Sequence, residues 1–400
     1  MGRIIQGVKI KQSVFETEGS NDGTYWPRIV EVRTNRGNFL TPSGIITSQI
    51  LSAKSRIGIE AELAGNISLL ERKQLNYDDI KTLMDSNEAA VTYTREARKH
   101  LRKMSYYQLQ IMYVHPSIKD YKKTDKEGNQ RDVLAGIKYF ENDTRSNRFT
   151  NLLTEIANFS GYKALAIPTL SYDTDVQMGI IRNAVNSFES GALNEIIPVI
   201  HMNQEPRRVE KLLTSIIENY CETGIVSAIA FQNSFSGAIA SRARISEIMA
   251  NRDILVHIFS VYRNYGGYSG IHKQSILFGD VFAPEFVPGH PPKNLNTEDD
   301  LYSPPYLNID SLEIGKLANE SDISKLVSEF LNVSPGDEEL IYNLLYELRT
   351  QPSLKKNILP ALSRVHEAIF SQREFSNLRN GIRNNRFTDY KIKREKLFAP

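Results

Sequence analysis

Tyr162-Lys-Ala-Leu-Ala-Ile-Pro-Thr-Leu170, a helical stretch from Asp175 to Phe188, and Glu195-Ile-Ile-Pro-Val-Ile-His201 form the passage on which the architecture turns. Two short apolar runs flank a helix of ordinary length, and the runs are continuous rather than alternating. Strands buried on both faces read this way, as in parallel sheets covered by helices. The pattern extends in both directions. Upstream, Phe149 to Phe159 reads as a helix and Gln108-Leu-Gln-Ile-Met-Tyr-Val-His115 as a strand ended by Pro116. Downstream, Arg207 to Cys221 carries Val209, Leu212, Leu213, Ile216 and Ile217 on one helical face, and Gly224 stops it. Ile225 to Phe231 is then a strand, Ala240 to Ala250 a helix, Ile254 to Val261 a strand and Ser275 to Phe282 another.

Strands alternating with helices of 10–15 residues mean β-α units. Phe39 to Thr47 supplies a first strand, and an eighth is expected between 57 and 95, at Ile57-Gly-Ile-Glu60 or Ala89-Ala-Val-Thr-Tyr93. Residues 39–284 come close to the ~250 typical of an eight-stranded barrel. The expected fold class is therefore α/β, a (β/α)8 TIM-like barrel, with a doubly wound open sheet as the alternative. Five regions follow: 1–38, β-rich with an antiparallel hairpin; 39–285, the barrel; 286–308, a proline-rich linker; 309–370, helices at Leu312–Leu317, Ile323–Leu331, Glu338–Leu348 and Asn357–Phe370; and 371–400, a basic tail with eight Lys or Arg against three acids. The polar stretch 117–148 reads as an inserted loop, and 70–104 as charged and helical.

Composition excludes several classes. The 400 residues hold 49 basic and 47 acidic side chains, so no global field draws in nucleic acid and any electrostatic footprint is local. Cys221 stands alone, which leaves no internal disulfide or cysteine zinc site. No run approaches the roughly 18 apolar residues of a membrane span, and MGRIIQGVKIKQS lacks a signal-peptide core. The expectation is a cytoplasmic protein with no membrane partner. No Walker loop or GxGxxG follows a strand, so no nucleotide cofactor, and no cofactor of any kind, is called for.

Reactive groups of a β/α barrel gather where strands run into the following loops. Those positions hold His115, Asp173 with Asp175, His201 with Gln204 and Glu205, Gln232 with Asn233, Arg263 with Asn264, and Asp280 with Glu285; His257 lies inside its strand. Each has a structural alternative. Asp175 is placed to cap the helix beside it, and Glu205 to start the helix after Pro206. Gln232 and Asn233 could satisfy loop backbone, and His257 could be a hydrogen-bonded core histidine. Asp280, in Ile276-Leu-Phe-Gly-Asp-Val-Phe282, is hardest to explain away, because a buried carboxylate must be paired or functional.

The ordered series of segments over roughly 30–285 resembles the tRNA-guanine transglycosylase superfamily, including relatives that put 7-deazaguanine into DNA. Thr34-Asn-Arg-Gly37 followed by Thr41-Pro42 is similar to the family's opening hairpin. Ile196 to Gln204 with Arg207-Arg208 resembles "GIVQGG…LR", and Ala228 to Gln232 falls where the family has "GYAIGG". Val256 to Val261 with Ser275 to Asp280 resembles the stretch whose last aspartate is the nucleophile. The family's "TDSGGFQ" strand falls on Gln110 to Ser117, which has no aspartate, and the zinc site is absent. The resemblance implies base exchange in tRNA or DNA. Asp280 would attack C1′ to form a covalent glycosyl-enzyme, Asp173 or His115 would supply the acid, and Gln204, Gln232, Asn233 and His201 would bind the base.

Two other readings stand beside it. One is a non-catalytic nucleic-acid-binding or assembly protein that keeps the barrel as scaffold. The other is a metal-dependent hydrolase or nuclease using His115, His201, His257 and Asp280, although no HxH pair supports it and no metal site is assigned. In the tail, Arg379, Arg383, Arg386, Lys391, Lys393 and Arg394 interleave with Phe375, Phe387, Tyr390 and Phe398, a composition suited to phosphates and stacked bases. Expected partners are nucleic acid, a 7-deazaguanine base, and a second copy or another protein at the C-terminal helices.

Overall fold

The computed structural model describes residues 3–14, 16–18, 23–58, 68–75, 77–102, 108–116, 121–124, 130–133, 140, 142–189, 195–202, 204–232, 239–249, 251–261, 272, 275–276, 278–284, 304–317, 320–333, 338–350 and 352–394. The fold is mixed α/β, with a curled parallel sheet and helices. The chain divides into two units: residues 1–11, 30–41 and 68–259, and residues 12–29, 42–67 and 260–400.

In chain order the first strands are β1 (Ile5–Ser13), β2 (Glu16–Glu18), β3 (Gly23–Tyr25), β4 (Arg28–Thr34), β5 (Gly37–Leu40) and β6 (Ser43–Thr47). Next come α1 (Ser48–Ile57), β7 (Ser68–Leu75), α2 (Tyr77–Asp85), α3 (Asn87–Arg102), β8 (Leu109–Pro116), β9 (Tyr121–Thr124) and β10 (Gln130–Val133). The middle holds α4 (Asp143–Ser160), β11 (Ala164–Ile167), α5 (Thr174–Glu189), β12 (Glu195–His201), α6 (Pro206–Ile216), β13 (Ala228–Gln232), α7 (Ile239–Met249), β14 (Leu255–Val261) and β15 (Val281–Pro284). The last elements are β16 (Pro305–Leu307), β17 (Ile314–Lys316), α8 (Glu320–Val333), α9 (Glu338–Thr350), α10 (Pro352–Arg383) and α11 (Phe387–Lys393).

The first unit is built on six parallel strands in the order β7-β8-β11-β12-β13-β14. β11, β12 and β13 are buried at every residue, which is why their runs do not alternate. Register places Ile111 and Tyr113, Ala164 and Ala166, Glu195 to His201 at every second residue, Ala228, Ala230 and Gln232, and Leu255, His257 and Phe259 on one face. That face is concave. The Tyr113 hydroxyl donates to Gln232 Oε1, three strands away, and the Tyr113 ring centroid lies 5.0 Å from that of Phe259, four strands away. A flat sheet would hold those strands about 14 and 19 Å apart. The alanines of β11 and β13 leave the space that Tyr113 fills.

The helices of this unit start and stop on local chemistry. Asn142 caps α4 through Arg145 N, and Gly161 ends it at φ 91°. The buried face of α6 is Val209, Leu212, Leu213 and Ile216, as the periodicity predicts. One π-turn, Ile217–Cys221, then prolongs it, with Glu222 N donating to Ile217 O at 2.9 Å. The β11–α5 loop is pinned by the fully buried Gln177: its Oε1 accepts from Leu170 N and Ser171 N, and its Nε2 donates to Pro168 O.

In the second unit β15 pairs in parallel with β6, Val281 opposite Ser43 and Phe282 opposite Gly44. α1 packs on α10, whose Phe375 is buried and stacks on Phe282 at 5.6 Å. His366 of α10 meets Glu329 Oε2 at 2.6 Å, and Tyr306 donates to the other oxygen at 2.8 Å.

Several expectations shift. Phe39–Thr47 is divided between β5, in the antiparallel sheet β1-β4-β5, and β6. The strand sought between 57 and 95 is Ser68–Leu75; Ala89–Tyr93 lies inside α3, whose first turn Ser86 Oγ caps through Ala89 N. Stretch 117–148 contains the antiparallel pair β9 and β10 and the start of α4. The strand expected at Ser275–Phe282 is Val281–Pro284, shorter and later. Leu312–Leu317 is not helical: Leu312 has φ 59° and Ile314–Lys316 pairs with Pro305–Leu307. Helix α10 runs through residue 371, so the basic tail begins as a continuation of it. Most of the proline-rich linker lies outside the described residues.

Candidate functional site

The described carboxyl ends of β12 and β13 bring His201 and Gln232 into register as partners, with Gln232 opposite Phe259 on β14. Gln204 lies just beyond β12 and donates from Nε2 to His201 O at 3.0 Å. His201 N is held by Thr169 Oγ1 at 3.0 Å, and Thr169 also donates to Val199 O, so a side chain continues the ladder past the end of β11. His201 and Gln232 are buried, and burial lowers the His201 pKa to about 4.

His257 lies one level deeper, opposite Ala230, fully buried with its ring 5.7 Å from that of Phe259. Among the described residues neither ring nitrogen has a hydrogen-bond partner. Burial lowers its pKa to about 3, so the ring is neutral at pH 7. The concave face thus carries Tyr113, His201, Gln232 and His257 among aliphatic and aromatic neighbours. Tyr113 was absent from the sequence-derived set, yet it sits two residues before His115, on the same side of β8. His115 pairs through its backbone with Gln74; its side chain, like all of Asn233, lies outside what is described.

At the amino ends of the same strands, Arg3 donates to Glu195 Oε1 at 2.9 Å and to Ser227 Oγ at 2.8 Å, and also reaches Gly224 O. Glu195 is fully buried, and desolvation, opposed by Arg3, raises its pKa to about 7.

Asp280 belongs to the second unit. Gly279 before it adopts φ 120°, a conformation that favours glycine, and the Asp280 carbonyl accepts from Ser43 N at 2.9 Å. The carboxylate is fully buried and gripped at two points by Arg28, Nε to Oδ1 at 2.8 Å and Nη2 to Oδ2 at 2.6 Å. Arg28 is itself 1% exposed, and its guanidinium lies 4.9 Å above the Trp26 ring, which stacks on Phe278. Sequence reasoning passed over Arg28; the signal was a cation in the Trp26–Arg33 run whose neighbours are apolar.

Asp173 is exposed and caps α5, its Oδ1 accepting from Asp175 N at 2.9 Å and Val176 N at 3.1 Å. The cap expected of Asp175 is therefore made two residues earlier, because Asp173 precedes the first turn and Asp175 lies within it.

The C-terminal cations separate into two groups. Arg394 makes a two-point pair with Glu374 at 2.8 and 2.7 Å, and half-buried Arg379 donates to Ser376 Oγ at 2.7 Å and to Pro42 O. Arg383, Arg386 and Lys393 are exposed, and Lys391 is half-exposed. Phe375, Phe387 and Tyr390 are buried, so they are not presented for stacking on bases.

Among the described residues no group of three or more His, Cys, Asp or Glu could hold a metal ion, and no helix is long and apolar enough to cross a membrane. Compared with protein-family models and with curated proteins, the chain matches none.

Proposed function

We propose that this chain is a non-catalytic, transglycosylase-like nucleic-acid-binding protein that keeps its parallel strands as a scaffold. The observation that carries this reading is the Arg28–Asp280 pair. A carboxylate nucleophile must turn a free lone pair toward C1′. Both oxygens of Asp280 instead accept charge-assisted bonds, and the side chain has no exposed surface. The other chemistry points the same way. Asp173 uses its carboxylate on backbone N–H groups, and His201 and His257 are neutral at pH 7, which suits them poorly to protonating a departing purine.

What remains favours recognition. A neutral imidazole carries one donor and one acceptor, and buried His257 carries them on the concave apolar face that also holds Gln232 and Tyr113. That set matches a flat, neutral heterocycle of the guanine or 7-deazaguanine class. One unit has six parallel strands and the other two, the number that a (β/α)8 barrel needs.

The experiment incubates the full chain with tRNA or duplex DNA and labelled 7-deazaguanine, and follows covalent adduct and base exchange by denaturing electrophoresis. Neither is expected. Calorimetry with the free base is expected to show binding that His257→Phe removes. An adduct or exchange abolished by Asp280→Asn would overturn the non-catalytic reading, and absence of base binding would remove the ligand class.

A further inference from the structure

The helical hairpin α10–α11 carries a run of cations, of which Arg383, Arg386 and Lys393 are exposed. Residues 379–393 hold five cations, Arg379, Arg383, Arg386, Lys391 and Lys393, against one acid, Asp389. Their scaffold is rigid. Asn385 takes φ 55° at the turn, and Arg386 N closes it on Gly381 O at 2.8 Å. Gln12 Nε2 ties the turn down through Ile382 O at 2.6 Å and Asn385 Oδ1 at 3.0 Å. A Cβ on Gly381 would meet Tyr390 Cβ at 3.2 Å, so glycine lets the two helices approach this closely. Phe387 and Tyr390 face inward, and Arg394 locks the far end to Glu374.

Two properties of the outer surface select the partner. Arg383 and Arg386 sit at the tip and Lys393 one helix length away, roughly 10 Å at 1.5 Å per residue. All three are exposed, with Asn380, Asn384, Asn385 and Thr388 as exposed uncharged hydrogen-bonding groups around them. Among the described residues of the hairpin, Ile392, at 71%, is the one large apolar side chain exposed to solvent, because the aromatic stripe is turned inward. One isoleucine provides too little apolar area to seat a helix in a bilayer, and no described aromatic of the hairpin is offered for stacking. The surface therefore suits a polyanion read through its phosphates.

We infer that the α10–α11 hairpin docks the backbone of double-helical nucleic acid, without base stacking, through Arg383, Arg386 and Lys393. The inference deepens the nucleic-acid part of the function proposed above. Calorimetry with free base reports on the concave face alone, so either can fail without the other.

The test measures anisotropy of a labelled 20-base-pair duplex with the full chain between 50 and 200 mM salt. Each phosphate contact contributes roughly 0.9 to the slope of log affinity against log salt. The triple variant Arg383→Glu, Arg386→Glu, Lys393→Glu is expected to bind at least tenfold more weakly at 50 mM salt, with a slope shallower by about 3. The charge-keeping Arg383→Lys/Arg386→Lys variant should stay within about twofold of wild type. Unchanged affinity and slope in the triple variant would overturn the inference. So would a preference for single-stranded homopolymer over duplex, or stronger capture by phosphatidylserine vesicles that the triple variant loses. All three positions are exposed, so melting temperatures should agree and exclude misfolding as the cause.

Discussion

Two buried carboxylates each draw an arginine from the first thirty residues, and they end in different states. Asp280 in the second unit meets Arg28 at two points, with both partners out of solvent. Glu195 in the first unit meets Arg3 at one oxygen; its Oε2 has no partner among the described residues, and the Arg3 side chain is 29% exposed. A planar fork satisfies both carboxylate oxygens and leaves the acid chemically silent. One bond from Arg3 and one from Ser227 N, both to Oε1, do not offset desolvation, and the Glu195 pKa rises to about 7. Burial alone therefore does not mark an acid as functional or structural; the number of bonds to its partner does.

The comparison breaks first at its strong member. Removing one partner of a buried pair leaves an uncompensated charge and costs about 3–5 kcal/mol, whereas replacing both with apolar residues of similar size is often neutral. Asp280→Ala or Arg28→Met should lower stability by that amount in urea unfolding, and Arg28→Met/Asp280→Leu should recover most of it. A single variant as stable as wild type would show that the two-point grip contributes little.

The weak member gives a pH signature. An acid whose folded pKa is raised favours the folded state when protonated, so its contribution is full below about 4.5 and is lost as pH rises toward 7. Through most of that window the slope is about 1.4 kcal/mol per pH unit. Glu195→Gln should remove this slope from the difference between the two stability–pH curves and leave the variant the more stable protein at pH 8. Parallel curves from pH 4 to 8 would refute the raised pKa.

His257 moves the opposite way and sharpens the contrast. Its folded pKa of about 3 lies below the ordinary 6.5, so protonation of the unfolded chain draws stability away as pH falls below 6.5. At pH 5 the loss is about 2 kcal/mol, from 1.5 pH units. His257→Phe should regain about that much at pH 5 relative to its effect at pH 7. Equal effects at both pH values would mean that the ring is protonated in the folded state.

How far these features were legible from sequence differs by element. The strands β8 and β11 to β14 announce themselves because burial on both faces leaves runs that are mostly apolar, and the face of α6 follows from its period. Ser68–Leu75 does not, because Glu71-Arg-Lys-Gln74 breaks any apolar pattern while the ladder to β8 supplies the backbone pairing. Leu312 defeats a helical period because Asn308 Oδ1 accepts from Asp310 N and Ser311 N and turns the chain. His201, Gln204 and Gln232 are legible by position, at strand ends. The partner of Asp280 is not, since 252 residues separate it from Arg28 and no local pattern spans such a distance.

The smallest effect concerns a third acid, which uses no arginine at all. Exposed Asp173 accepts two backbone N–H groups at the start of α5, where the helix dipole also favours a negative charge. Its replacement by alanine strands those donors and should cost about 1 kcal/mol, within the 0.5–2 kcal/mol of such caps. Asp173→Asn keeps the acceptor and should cost less than half as much, and Asp175→Ala, inside the first turn, less again. If Asp173 were the general acid of a base exchange, its alanine and asparagine variants would both lose activity while differing in stability. If it is only a cap, nucleic-acid affinity should be the same for all three variants and chemical denaturation alone should rank them.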